Sequence, residues 1–353
     1  MTDRRAEGGQ FDLFVPVVAD LPLRDQRETM ERPFFSLAKG KRLRPIDYTS
    51  PDGEVWVKVL PHQDYGMATI WDADVLVWAA SVLAEMRRRR VNDVPRTLQF
   101  QPFDLLRAIG RRTGGTEYRL LREALARLQA TVVKTNIRAR GRRRERQFGW
   151  IEGWTDLVDE ATGQSRGMTI TVSEWFHEGV LMEGGVLAID PAYFRITGGR
   201  ERWLYRVARK HAGGHGAEGF AVGLPTLFEK SGAEGDYRRF KFELRRIAAR
   251  NVLPEFHLAW EEARLAATAS KAAAARRRPV GTGGPAGGGG EPMLRMTRRS
   301  TLDVTHPGFE IPKRRRGGAA RGGGTKGEGA GGDVGPPGVA PPARATRPPP
   351  LRS

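Results

Sequence analysis

The chain has 353 residues, with 59 Lys and Arg against 41 Asp and Glu, which gives a formal net charge of +18. This excess of positive charge favours a polyanionic partner. The absence of cysteine excludes disulfides and cysteine-ligated zinc. The start of the chain lacks a signal-peptide pattern, and no apolar run is long enough to cross a bilayer, so we expect a cytoplasmic protein without membrane contacts.

The positive charge is unevenly placed along the chain. The segment 261–353 carries 17 of the Lys and Arg but only 7 of the Asp and Glu, so it supplies +10 of the net +18. We expect residues 1–31 to be loosely ordered. Residues 263–353 are predicted to be an Ala-rich helix extension followed by a disordered Gly-, Pro- and Arg-rich tail, because this composition cannot bury a core.

The ordered part begins with a predicted β-hairpin, Arg44–Tyr48 and Val55–Leu60, around the turn residues 50–53. An amphipathic helix follows from Asp72 to Met86. We interpret Asp72 and Asp74 at its start as capping carboxylates that favour the helix dipole, rather than as a catalytic pair.

A first helix pair comes next. A short helix starts at Pro102, a glycine turn lies at 114–115, and a second helix runs from about Thr116 to Gln129. The β-branched run Thr131–Ile137 predicts a strand, and a basic segment 138–146 follows it. Strand, basic tip and strand are typical of the wing of a winged helix, although a mobile, charged surface hairpin is the alternative. We expect phosphate contacts without base readout from Arg119, Arg122, Arg138, Arg140, Arg142, Arg143 and Arg144.

A second helix pair has the same design. Leu224–Gly232 predicts a short helix, and Asp236 caps a longer one that stops before Asn251. The longer helix has an apolar face and an opposite face rich in arginine, as in a helix-turn-helix that enters a DNA groove. The alternative is a solvated charged face. The candidate DNA-binding residues of this pair are Thr226, Lys230, Arg238, Arg239, Lys241, Phe242, Arg245, Arg246 and Arg250.

Phe242 is the one outward apolar residue of this face. It is expected either to press on a thymine methyl group or to be covered by residues 1–30.

The two long helices form a weak internal repeat. Tyr118, Leu121, Leu125 and Leu128 match Tyr237, Phe240, Leu244 and Ile247 in order, spacing and type. The sequence therefore predicts an α+β fold with two tandem winged-helix domains, at 32–173 and 174–262. A strand over Pro254–Trp260 is expected in the second domain, but no return strand is recognisable there.

No catalytic constellation is recognisable in the sequence. A phosphate-binding P-loop is missing, and the pair His211 and His215 is interpreted as part of a helix end rather than as a metal site. We therefore expect neither enzymatic activity nor a cofactor or metal.

Several longer motifs carry a family resemblance: Arg32–Lys39, Tyr65–Asp74, Gly149–Glu152, Arg200–Gly213, Phe228–Gly232 and Tyr237–Phe242. Together they resemble the plasmid replication initiators called replication initiator protein A, which are similar to iteron-binding proteins with two winged helices. The resemblance implies binding to direct repeats in double-stranded origin DNA, local opening, and recruitment of the host initiator ATPase and the replicative helicase. It also implies a homodimer that represses its own gene.

Two other functions stay open at this point. A winged-helix transcriptional repressor needs the same DNA contacts, and an origin-nicking nuclease is the less favoured alternative.

Overall fold

The computed structural model describes residues 21–138, 145–162, 165–262 and 291–302, all of which belong to one compact unit. Within these ranges, seven α-helices accompany twelve strands in four antiparallel sheets, so the fold mixes helices and strands as expected. No helix of the described ranges has both the length and the apolar character needed to span a bilayer.

The first helix pair belongs to a unit in which two helices are bracketed by strands of one sheet. Its order is α1 (Ala73–Arg88), β4 (Thr97–Phe100), α2 (Pro102–Ala108), α3 (Gly115–Ala130), β7 (Ile151–Val158) and β8 (Ser165–Val172). The strands are arranged β4-β8-β7, so the last strand lies in the middle. Leu121, Leu125 and Leu128 of α3 are fully buried, which confirms the predicted apolar face.

The second helix pair repeats this arrangement. The order is α5 (Gly199–His211), β10 (Phe220–Gly223), α6 (Leu224–Ser231), α7 (Tyr237–Arg250), β11 (Phe256–Glu261) and β12 (Met293–Arg298). The strands are arranged β10-β12-β11, again with the last strand in the middle. The internal repeat in the sequence thus corresponds to two units with the same strand order, and with the same order of elements except for two strands of another sheet, residues 132–135 and 146–148, that lie between α3 and β7 in the first unit.

Strand β12 corrects the expectation of an unstructured tail after residue 262. It pairs with β10 on one side, where Leu294 lies opposite Val222, and with β11 on the other, where Leu294 lies opposite Trp260. Leu294 and Met296 are fully buried, so apolar burial draws this short segment into the sheet. The expected Ala-rich helix and most of the tail lie outside the described residues.

The predicted wing of the first unit needs a second correction. Its two strands, β5 (Val132–Thr135) and β6 (Arg146–Phe148), do form an antiparallel hairpin. They belong, however, to a separate four-stranded sheet with the order β2-β3-β5-β6, in which β2 (Ile46–Thr49) and β3 (Trp56–Leu60) form the predicted first hairpin. The hairpin that completes the sheet of α2 and α3 is β7–β8, because β4 pairs with β8.

Residues 21–31 are packed onto the rest of the chain, which corrects the expectation of a loose segment for this part of 1–31. Strand β1 (Arg24–Gln26) pairs with β9 (Val186–Ala188), and Met30 is fully buried. Residues 1–20 lie outside the described part. The short helix α4 (Glu174–Leu181), capped by Ser173, completes the list of elements.

A continuous apolar core connects the two units. Trp150 stacks on Phe35 with a centroid distance of 4.7 Å, and Phe148 stacks on Trp175 at 4.6 Å. The buried residues form one cluster that runs from these aromatic rings to the inner faces of α5 and α7. The described part of the chain therefore has one shared core rather than a separate core in each unit.

A truncation tests the role of β12. A chain that ends after residue 262 lacks the middle strand of the sheet β10-β12-β11 and exposes the core beneath it, so we expect its second unit to unfold. A chain that ends after residue 302 keeps the strand and serves as the control. Circular dichroism and thermal melting should show lost structure only for the shorter chain, and equal melting curves would contradict the assignment of β12.

Candidate nucleic-acid interface

Helix α7 begins and ends as the sequence predicts. The Asp236 carboxylate accepts a hydrogen bond from the backbone N–H of Arg239 at 2.7 Å, and Asn251 ends the helix in the left-handed conformation. Phe240, Leu244 and Ile247 are at most 4% exposed. Burial of this face fixes the rotation of the helix about its axis, so its opposite face is turned to solvent.

The centre of the exposed face is a stripe of three residues. Arg238, Phe242 and Arg246 are four residues apart, so they follow one another along the helix. The Phe242 side chain is 60% exposed, and the Arg246 guanidinium lies 5.8 Å from its ring centroid. Residues 21–30 therefore do not cover Phe242. The other residues expected to cover it, 1–20, lie outside the described part of the chain.

The other cations of α7 are paired with carboxylates on either side of this stripe. The nitrogen–oxygen distances are 3.0 Å for Arg239–Glu243, 3.5 Å for Lys241–Glu291, 3.3 Å for Arg245–Glu262 and 2.7 Å for Arg250–Glu201. Arg238 and Arg246 make no ion pair with a residue in the described ranges. The middle of the face thus combines one apolar ring with two guanidinium groups that have no carboxylate partner in the described part of the chain.

The turn before α7 is held against the N-terminal half of the chain. Gly232 ends α6 with a φ of 57°, and a Cβ atom there would lie 2.6 Å from Cβ of Pro33. The buried Arg42 side chain donates a hydrogen bond to the Gly232 carbonyl oxygen at 2.6 Å. A glycine is required at this position by both the backbone angle and the close approach, and the contact fixes where α7 starts.

Lys230 of α6, one of the predicted DNA contacts, is held by a carboxylate of the N-terminal segment. Its ammonium group donates to the Glu31 carboxylate at 2.6 Å, and the side chain is only 23% exposed. The lysine is thus turned inward to a carboxylate from the N-terminal segment. Thr226, at the start of the same helix, is half-buried.

Glu31 accepts hydrogen bonds from three basic side chains and also lies 3.5 Å from the Arg32 guanidinium. Besides Lys230, Lys210 donates to it at 2.7 Å and His211 lies 2.8 Å from its second oxygen. Burial alone would raise the pKa of Glu31, but the hydrogen bonds from His211, Lys210 and Lys230 lower it well below the ordinary 4.5. A single carboxylate therefore joins the end of α5 to α6.

Helix α5 presents a row of buried arginines to the first unit. Arg206 donates to both carboxylate oxygens of Asp25, at 2.6 and 3.0 Å, and Arg202 donates to Asp74 at 2.6 Å. All four side chains are at most 5% exposed. Burial raises the pKa of the Asp25 and Asp74 carboxyl groups, while the adjacent arginines act in the opposite direction.

These pairs also correct the interpretation of the carboxylates at the start of α1. Asp72 makes no side-chain cap to the helix, and instead pairs with Arg127 through two bonds of 2.8 Å. Asp74 is held by Arg202 and Arg111. Both carboxylates bind cations of packed neighbouring elements, which outweighs local capping at a buried helix end.

Sequence reasoning missed the buried arginines of α5. Arg202, Arg206 and Lys210 are spaced at i, i+4 and i+8, a pattern that usually marks a solvated helix face. Two of their partners, Asp25 and Glu31, come from a segment expected to be loose. No signal in the single sequence joins them, since the segment lies far away along the chain.

The predicted DNA-binding arginines of α3 are both paired, unlike Arg238 and Arg246 at the centre of the α7 face. Arg119 bonds to Glu123 at 2.5 Å, and Arg122 bonds to Asp156 on β7 at 2.5 and 2.8 Å. Both side chains stay about half exposed or more. The structure thus leaves these two arginines accessible but neutralised.

Only the first arginine of the predicted basic tip, Arg138, lies in the described part of the chain. Arg138 is only 12% exposed, bonds to Glu28 at 2.8 Å and lies 4.2 Å from the Trp175 ring centroid, so little of its side chain faces solvent, and its phosphate contact stays a prediction. Its guanidinium is held because it follows the end of β5, beside α4. The remaining tip residues, Arg140, Arg142, Arg143 and Arg144, lie outside the described residues.

Comparison with known proteins identifies the family. Residues 24–258, about two thirds of the chain, match the family described as replication initiator protein A. The chain belongs to this family. A putative replication protein of Wigglesworthia glossinidia brevipalpis is 30% identical over 240 residues, which cover 67% of this chain and 84% of that protein.

Two solved structures of RctB domains 2 and 3 are similar to this replication initiator family member. One has a TM-score of 0.49 and 12% identity, over 76% of this chain and 96% of the other. The second has a TM-score of 0.46 and 12% identity, over 75% and 94%.

The Glu31 contacts predict a pH dependence of stability. Because the folded-state pKa of Glu31 is lowered, its contribution is present above the unfolded value of about 4.5 and is lost as the pH falls below it. Glu31→Gln should lower the free energy of unfolding at neutral pH by about 3 kcal/mol. Between pH 5 and pH 3, the free energy of unfolding should fall less steeply for the variant than for the wild type. The difference between the two slopes should correspond to the uptake of about one proton on unfolding. Urea unfolding at several pH values measures both, and parallel pH profiles would contradict it.

Proposed function

We propose that this replication initiator binds repeated duplex sites at a plasmid origin, with α7 in the major groove of each site. The observation that carries the proposal is the stripe of Arg238, Phe242 and Arg246, which is exposed on a capped helix and unpaired among the described residues. Membership of the replication initiator protein A family supports the choice of origin DNA.

Each unit is proposed to be a winged helix. The support is the shared order of helix, strand, two helices and two strands, interrupted in the first unit only by the β5–β6 hairpin, together with the placement of the last strand in the middle of each sheet. In such a domain the second helix of the pair enters the groove and the hairpin that follows lies beside it. In this protein those elements are α3 with β7–β8, and α7 with β11–β12.

The stripe has the chemistry needed to read bases. An arginine can donate two hydrogen bonds to O6 and N7 of guanine, and an apolar side chain can contact the thymine methyl group. Each good bidentate pair discriminates against the wrong base by about 1–3 kcal/mol. The spacing along one helix lets Arg238, Phe242 and Arg246 contact neighbouring base pairs of one groove.

The other candidate residues would mainly position the duplex. Arg239, Lys241, Arg245 and Arg250 lie at the sides of α7, where phosphates would replace their carboxylate partners. Arg119 and Arg122 of α3 would exchange partners in the same way. Exposed ion pairs are weak, so a phosphate can compete for these cations.

Events after binding are part of the same proposal. By family membership, we propose that the bound protein opens the origin locally, recruits the host initiator ATPase and the replicative helicase, and forms a homodimer. Binding itself needs no catalytic group. In the described ranges, no three His, Asp or Glu side chains are grouped to hold a metal ion.

A substitution on α7 tests the reading of bases. Footprinting on the DNA that flanks the gene, over a salt series, first identifies the bound site and its repeats. Arg246→Ala should then weaken that site by about 5- to 150-fold, because a base contact is lost. Its effect on random DNA of the same length should be severalfold smaller, since only one positive charge is removed.

Arg88→Ala is the matched control, because Arg88 is 69% exposed on α1 and pairs with Glu85. It should leave both affinities nearly unchanged. If Arg246→Ala weakens binding to both duplexes by the same factor, Arg246 does not read bases. A footprint without repeats would favour a transcriptional repressor that binds a simple operator.

A further inference from the structure

Two carboxylates beside α7 come from the ends of the strands that follow it. Glu262 directly follows β11, and its carboxylate lies 3.3 Å from the guanidinium of Arg245. Glu291 precedes β12 and lies 3.5 Å from the ammonium of Lys241. Their side chains are 67% and 48% exposed, so both stand at the open rim of the proposed DNA-binding face.

Glu291 is further held in place by Tyr237. The hydroxyl of this first residue of α7 donates a hydrogen bond to the Glu291 carboxylate at 2.7 Å. Burial, together with this bond, raises the pKa of Tyr237. The negative charge at this rim therefore has a defined position relative to the helix.

The other two carboxylate partners of α7 serve a different purpose. Glu243 is 24% exposed and also pairs with Arg200 of α5, and Glu201 is 15% exposed at the start of α5. These carboxylates join α7 to α5, Glu243 through Arg200 and Glu201 through Arg250. Glu262 and Glu291 have no such second arginine among the described residues. Their negative charges therefore act mainly on Arg245 and Lys241.

A DNA backbone must compete with these two carboxylates. A phosphate that approaches Lys241 or Arg245 displaces the carboxylate, which then stays close and repels the backbone. Non-specific binding depends almost entirely on phosphate contacts, whereas a specific site also gains base contacts. In the cognate complex the base contacts hold α7 in one register, in which the phosphates can lie clear of the two carboxylates, whereas on random DNA the phosphates sample positions against them. The repulsion therefore weakens random DNA by a larger factor than the cognate site.

We propose that Glu262 and Glu291 are specificity-determining residues of the DNA-binding face. They lower the affinity for DNA that contacts the protein only through its phosphates. The preferred site is then the one whose bases fit Arg238, Phe242 and Arg246. Selectivity through a repulsive element is a general means of discrimination between partners. The inference rests on the proposed function, because it requires α7 to face DNA.

The test uses the full-length chain with the double substitution Glu262→Gln and Glu291→Gln. Glutamine keeps the size and polarity of the side chains and removes the two charges. Binding is measured on the footprinted duplex and on a random duplex of equal length over a salt series. The random duplex should bind about three- to tenfold more tightly, with a steeper salt dependence, while the cognate duplex gains about twofold or less.

Asp47→Asn is the matched control. Asp47 is 65% exposed and pairs with Lys58 at 3.1 Å on the first hairpin, away from α7 in the sequence and in another sheet. This variant changes one charge of a similar surface ion pair and should alter neither affinity. If it loosens selectivity as much as a rim substitution does, net charge rather than position is responsible, and the inference is overturned.

The remaining outcomes separate the inference from the proposed function. Equal tightening on both duplexes, or no change on either, overturns the role of the two carboxylates while the proposed function stands. A wild-type protein with no preference for its own flanking DNA overturns the proposed function itself, whatever the variants do. A reduced preference in the double variant with an unchanged melting temperature supports the inference.

Discussion

The position of the proposed reading helix depends on the buried ion pairs of α5. Arg202, Arg206 and Lys210 bind Asp74, Asp25 and Glu31, which come from α1 and from the N-terminal segment. Buried charges are costly unless they are paired and hydrogen-bonded, so loss of one partner leaves a strongly unfavourable group behind. Such pairs are favourable in only one geometry, so α5 cannot shift relative to α1 and the N-terminal segment without breaking them. They therefore fix the orientation of the second unit on the first, which a purely apolar contact would specify less well.

This attachment continues outward to α7. Glu31 binds Lys230 of α6, Arg42 binds the carbonyl of Gly232 in the turn, and the apolar side of α7 fits into the shared core. Each contact joins residues that are distant in sequence. The exposed stripe is thus presented by a support that includes both units. A DNA-binding surface held in this way loses little conformational entropy when it binds a duplex. The binding free energy is therefore reduced less than it would be for a flexible surface.

Local patterns in the sequence predicted the helices well, because amphipathic spacing and capping residues act over a few positions. The bounds of α7, its cap Asp236 and its inner face agree with the structure. Contacts between distant segments were not predictable in this way. Arg138 and Lys230 read as surface cations, but a carboxylate and a tryptophan ring from elsewhere bury them. Strand β12 was missed because its six residues lie within a segment of low-complexity composition.

The place of β12 in the middle of its sheet has a consequence for biosynthesis. Residues 262–292 separate it from β11. A ribosome therefore adds about 37 residues, β12 included, over roughly 2–7 s before the sheet can close. During that interval β10 and β11 lack their common neighbour, and each presents open backbone groups that another strand can pair with. The nascent initiator is therefore most exposed to chaperones and to mispairing at a late stage, when α7 has already emerged.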